Sequence, residues 1–142
     1  SNVTKEFTGV QNSKTCALKD ISLHIKPGEF VVQVHIPATA INLPYIHVKK
    51  AAQEKMDYPL VNVTALRVGE EIRVAFSGFG SYPFRDFEVE RALNDRGNSP
   101  KSRLDAAMAI LSQQAHTDSE GSGAYRVFVL RNILEGMLEE WR

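Results

Sequence analysis

A single cysteine, Cys16, stands in the 142 residues. It has no partner for an intramolecular disulfide. Without a Cys-x-x-Cys pair or a Cys/His cluster, the chain also offers no recognisable structural zinc or iron–sulfur ligand set. No apolar run approaches the roughly twenty residues that span a bilayer. Neither sign of charge is in excess, since 17 Lys and Arg stand against 17 Asp and Glu. No long-range field therefore draws the chain to nucleic acid or to an anionic membrane. The N-terminus lacks the basic, apolar and small-residue succession of a signal peptide, and Ser1-Asn2 is similar to the pair left by tag removal. These absences together lead us to expect a reducing cytoplasm, no membrane insertion and no nucleic-acid partner.

What is present is one domain's worth of patterned chain, long enough to bury roughly 70% of its unfolded surface. Residues 29–36 are β-branched and apolar and end at Pro37, which predicts a strand. A weaker strand signal covers 41–49 and is interrupted by Pro44; clearer ones cover 60–68 and 72–79. The short polar break at Gly69-Glu70-Glu71 predicts a hairpin and so a largely antiparallel sheet. Beyond Gly80 the period lengthens from two to about 3.6. Asp86 is a suitable cap for a helix through about Asn94, with Val89, Ala92 and Leu93 inward. Ser99-Pro100 is a helix start, followed by a face of Leu104, Ala107, Met108, Leu111 and Ala115, with an end near His116. After a polar loop at 117–123, Tyr125, Phe128, Val129, Asn132, Ile133, Gly136, Met137 and Trp141 recur at helical spacing. Phe128, Ile133 and Met137 are accordingly expected to pack on the sheet. Strands first and helices afterwards predict an α+β fold: a mostly antiparallel sheet of three to four strands with about three helices on one face.

Motifs for chemistry are few. Ser77-Gly78-Phe79-Gly80 precedes a helix but lacks the third glycine of a dinucleotide loop and the Gly-Lys-Ser/Thr of a phosphate loop, so a strand-ending turn is the better account. His35 and His47 sit on predicted neighbouring strands, yet without a placed carboxylate or cysteine they make a poor metal site. Asp118, Ser119 and a distant histidine have no nucleophile-elbow sequence around them and read as solvated loop residues. Lys49-Lys50 and the polar stretch 53–57 connect two strands, and on composition they are a surface loop. Residue chemistry alone leaves the function open.

Several segments, in order, resemble one family. Asp57-Tyr58-Pro59-Leu60-Val61, Ile72-Arg73-Val74-Ala75-Phe76-Ser77-Gly78 and Pro83-Phe84-Arg85 are followed by Glu88-Val89-Glu90-Arg91-Ala92-Leu93 and Ala124-Tyr125-Arg126. Upstream, Phe7-Thr8-Gly9 and Lys26-Pro27-Gly28-Glu29-Phe30 complete the set. Their collinear order resembles the C-terminal domain of the FAD-binding (medium) subunit of the xanthine dehydrogenase and carbon monoxide dehydrogenase family of molybdenum hydroxylases. Residues 51–55 depart most from that pattern, which often has arginines there.

The resemblance implies that 1–28 lead in from an FAD-binding domain and that 29–142 form the flavoprotein C-terminal domain. It implies an oxidoreductase fragment, inactive alone, that completes an FAD site for electron transfer. Its partners would be its own N-terminal FAD-binding domain and molybdopterin and iron–sulfur subunits, and the chain by itself is not expected to retain FAD. By position, Val31 corresponds to a cofactor contact and Lys49 to a lysine beside the flavin, with loop 50–59 near the isoalloxazine ring. Tyr58 would supply an aromatic face and Asp57 a hydrogen-bond acceptor, although both residues also suit a purely loop-ordering role. The alternative from another class is a stand-alone protein–protein interaction module without cofactor.

Overall fold

Buried and exposed side chains alternate strictly from residue 71 to 76, and that period of two builds half of a hairpin. The computed structural model describes residues 2–8, 14–22, 38–51 and 58–141. They fall into two units, Ser1–Leu43 and Pro44–Arg142.

In the first unit, β1 (Asn2–Thr8) pairs antiparallel with β2 (Lys14–Ser22), and α1 (Ala38–Ile41) is a single helical turn. Sequence patterning did not predict this hairpin. The alternation Val3, Lys5, Phe7 is too short and too polar to stand out, and the pairing itself is irregular around Lys5. The predicted strand 29–36, with Val31 and His35, lies outside the described residues, as does the expected boundary between 28 and 29.

In the second unit a four-stranded antiparallel sheet runs in the order β3 (Tyr45–Ala51), β4 (Pro59–Val68), β5 (Glu71–Ser77), β6 (Phe84–Arg85). The predicted strand at 41–49 is thus shifted to 45–51. Pro44 donates no hydrogen bond and cannot sit inside a ladder, but its carbonyl accepts the Arg67 amide at 2.9 Å, so it marks the strand's start. Val68 pairs with Glu71, leaving Gly69-Glu70 as a two-residue turn whose first position requires a positive φ; Gly69 has 64°. β6 was not predicted, because two residues carry no detectable period. It covers only Ala75 and Phe76 of the β5 edge. The rest of that edge is sealed by α2 (Phe87–Asn94). Glu90 accepts the Val74 amide at 2.9 Å, and Asn94 exchanges two 2.8 Å bonds with the Ile72 backbone. Residues four apart on one helix thereby replace a strand.

Two helices follow the predicted starts, Asp86 capping α2 and Ser99 capping α3 (Pro100–Leu111), and α4 (Gly123–Glu140) is capped by Ser122, which was read only as part of the preceding loop. Val89 and Leu93 are buried and Ala92 is half-buried, and on α3 Leu104, Ala107, Met108 and Leu111 are buried as read. That helix ends earlier than expected, passing through a 3₁₀ turn at Ser112–Gln114. Ala115 has already left it, and the His116 amide bonds the Phe79 carbonyl.

On α4 the predicted face is corrected in part: Met137 is buried and Ile133 packs against the core as expected, but Phe128 does not. Arg126, Leu130, Leu134, Met137 and Leu138 are the buried residues, while Phe128 is 60% exposed and stacks on the exposed Tyr125. Two apolar stripes wind along this helix, and periodicity does not tell which one meets the sheet. Because Phe128 lies on the surface, Phe128→Ala should change the unfolding free energy by no more than about 0.5 kcal/mol. A several-kilocalorie loss in urea titration would put the side chain back in the core.

Candidate functional site at one end of the sheet

Among the described residues β3 is an edge strand, and its alternation assigns its side chains to two faces. Ile46 and Val48 turn toward the helices, whereas Tyr45, His47 and Lys49 are exposed on the opposite face. Across the ladder His47 faces Thr64, and the two side chains share a 2.8 Å hydrogen bond. Lys49 faces Asn62. Among the described residues its ammonium makes no ion pair or hydrogen bond, so the charge is free to act on something outside them.

One step further the register slips. Lys50 pairs with Val61 but Ala51 pairs with Pro59, leaving Leu60 as the extra residue of a bulge. The bulge explains why Leu60 and Val61, although consecutive, are both buried. Tyr58, immediately before β4, is 81% exposed. The fold therefore brings Lys49 and Tyr58, two of the four cofactor-site residues expected from the sequence, to the same end of the sheet. The other two, Val31 and Asp57, lie outside the described residues.

A buried arginine that was not singled out as a site residue organises this end. Arg126 is 1% exposed. One of its terminal nitrogens donates to the carbonyls of both Leu60 and Gly78, and the other pairs with Asp118. The β4–β5 ladder ends at Asn62 and Ser77, so those two carbonyls lie beyond its last pair. Asp118, read from the sequence as a solvated loop residue, is in fact half-committed to the interior. Burial pushes its carboxyl up, but the amides of Glu120 and Gly121 and the Arg126 guanidinium outweigh that effect and hold it below the usual carboxylate range. A signal was available in the sequence: Arg126 is in phase with Leu130, Leu134 and Leu138, an arginine on an apolar stripe.

The glycine segment belongs to the same construction. Gly78 has a φ of 73°, and a side chain there would collide with the Pro59 carbonyl. Phe79 is fully buried. The tight turn is a packing requirement between β5 and the start of β4.

Along α4 the second apolar stripe borders a groove of about 640 Å³. Ile46, Val48 and Leu60 form one wall and Tyr125, Val129 and Ile133 the other. The helical spacing read as a core-facing stripe is thus largely a groove wall.

Comparison with known proteins gives this geometry a context. No curated relative matches the chain in sequence. The family model for the CO dehydrogenase flavoprotein C-terminal domain matches residues 46–141. The chain belongs to that family. Three solved structures share the fold of this flavoprotein C-terminal domain. The carbon monoxide dehydrogenase from Hydrogenophaga pseudoflava that lacks the Mo-pyranopterin moiety of the molybdenum cofactor is 20% identical, with a TM-score of 0.54 over 71% of this chain and 37% of that one. A cyanide-inactivated Cu,Mo-CO dehydrogenase is 18% identical, with a TM-score of 0.55 over 94% and 50%. Reconstituted CO dehydrogenase from Oligotropha carboxidovorans is also 18% identical, with a TM-score of 0.54 over the same shares. The flavoprotein C-terminal domain described here spans half or less of the length of each. Its antiparallel four-stranded sheet with three helices on one face is the α+β arrangement expected from the sequence. Among the described residues no helix is long and apolar enough to cross a membrane, and no three His, Cys, Asp or Glu side chains are placed to hold a metal.

The residues present suit a flavin. An exposed ammonium and an exposed phenol ring at one sheet end match the two demands of a redox-active aromatic anion, charge and a flat apolar surface.

Proposed function

We propose that this chain forms the C-terminal wall of an FAD site in a molybdenum hydroxylase of the xanthine dehydrogenase type. The observation that carries the reading is Lys49 on the exposed face of β3, its ammonium without an ion pair or hydrogen bond among the described residues, at the sheet end that also bears Tyr58 and inside the stretch matched by the flavoprotein family model. FAD, when bound, supplies electron transfer between the metal centres and an acceptor. Lys49 places positive charge beside the ring and favours its reduced, anionic form. Tyr58 offers an aromatic face, Asp57 an acceptor and Val31 an apolar contact.

In this reading residues 1–28 lead in from an FAD-binding domain and 29–142 form the domain proper. The partners are that domain and molybdopterin and iron–sulfur subunits, in the cytoplasm. The molybdenum named for structures of the same fold supports this company. The exposed Tyr125–Phe128 pair favours a second reading, an interaction module without cofactor. The coding sequence upstream discriminates between them, because a glycine-rich FAD-binding region there belongs only to the first.

As the wall of a site and not the whole of it, the 142-residue chain should purify colourless and give no micromolar FAD binding by calorimetry. Fused behind its FAD-binding region, the same chain should retain the flavin. A stoichiometric yellow chromophore on the chain alone would refute the division of labour. A colourless fusion that is fully folded would refute the flavin site.

A further inference from the structure

Beyond the last β4–β5 pair, the two strands part around the Leu60 bulge and the left-handed Gly78. Leu60 and Gly78 there present carbonyls with no ladder partner across from them. Backbone amides cannot satisfy two divergent acceptors at once, but a guanidinium can, because its donors are fixed in a planar fork. Arg126 reaches this point from the first turns of α4 and donates to both carbonyls. Its other terminal nitrogen holds Asp118, which in turn accepts the amides of Glu120 and Gly121. One side chain thereby joins the start of β4, the end of β5, the loop before α4 and α4 itself. Tyr58 lies two residues before Leu60, and Lys49 pairs two residues after it.

We infer that Arg126 is a positioning residue: through Leu60, Gly78 and Asp118 it sets the height of the Tyr58–Leu60 segment against β3, and so the surface that Lys49 and Tyr58 present to a flavin. This rests on the flavin-site reading above. Arg126 itself touches no cofactor in this assignment, since it is fully buried. A lysine cannot replace it, because a point charge on a flexible stem does not bridge two carbonyls and a carboxylate in a fixed geometry.

The test uses the FAD-loaded enzyme that contains this chain, with flavin occupancy and folding matched among variants. In Arg126→Lys the flavin midpoint potential should shift in the same direction as in Lys49→Met, and amide exchange at 60–62 should rise by about tenfold while 66–72 keep their protection. If the potential moves in Lys49→Met but stays at the wild-type value in Arg126→Lys, the positioning role is overturned and the flavin site stands. If neither variant moves it, the electrostatic role of Lys49 in the flavin-site reading falls, and the positioning role falls with it. Should Arg126→Lys not fold, Asp118→Asn serves in its place. It leaves both carbonyl bonds and removes the carboxylate charge, and it should give the same shift in smaller measure; an unmoved potential there overturns the inference equally.

Discussion

Replacing Arg126 by methionine is expected to lower the unfolding free energy by about 2–6 kcal/mol, because two buried or half-buried carbonyls, those of Leu60 and Gly78, lose their donor at about 1–3 kcal/mol each. Methionine keeps most of the stem's bulk and a good helix propensity, so neither a large cavity nor a weakened α4 accounts for the loss. Asp118 adds little, since its side chain is 36% exposed and rehydrates when its partner goes. Arg131→Met makes the internal comparison. That guanidinium also pairs with a carboxylate, Asp105, but the two side chains are 40% and 43% exposed, and the expected cost stays below about 1 kcal/mol. Urea midpoints at constant slope measure both changes. If the two variants lose the same small amount, the buried fork is no more than another surface pair.

The contrast between these arginines bears on what a sequence reveals. Elements whose signal is local were legible: the strands at 60–68 and 72–79, the Gly69 turn, and the helix starts at Asp86 and Ser99 all depend on neighbours in the chain. Elements decided by tertiary partners were not. The two residues of β6 form a strand only because Phe76 and Ala75 lie beside them. The Glu90 and Asn94 side chains look like any helical polar pair until β5 presents its open edge to them. On α4, two apolar stripes were on offer and the sheet took the one headed by an arginine, so Phe128 was assigned to the wrong side.

The candidate site divides along the same line. Lys49 and Tyr58 were named through family resemblance, since charge and polarity alone describe a solvated connector. What the fold adds is their common position: the bulge at Leu60, invisible in any periodicity, turns two consecutive side chains inward and leaves Tyr58 outside at the end of the sheet. Arg126 escaped notice as a site residue because sequence patterns treat arginine as a surface residue, and only the two unpaired carbonyls beyond the ladder give it a reason to be buried.

Lys49→Met in the FAD-loaded enzyme should lower the midpoint potential of the flavin by roughly 20–90 mV. The estimate follows from a unit charge about 4 Å from the reduced anion, worth about 1–4 kcal/mol between water-like and protein-surface screening. For a two-electron couple about 30 mV corresponds to about 1.4 kcal/mol. Methionine preserves much of the stem's volume while removing the charge and its donors, so packing and electrostatics are partly separated. Lys49 is suited to the experiment because it is exposed and has no ion-pair or hydrogen-bond partner among the described residues, so its removal strands no buried group and should leave stability within about 0.5 kcal/mol. Neighbouring Lys50 provides the control: it belongs to the groove between β3 and α4, and Lys50→Met should shift the potential far less. Loss of a contact to oxidised FAD would loosen the cofactor without lowering its potential, so the titration must compare samples of equal occupancy. Equal midpoints in wild type and Lys49→Met would remove the electrostatic role, even if the lysine still touched the ring. Equal shifts from Lys49 and Lys50 would show that the flavin senses only the general charge of the strand and that the face on which the fold sets Lys49 is irrelevant.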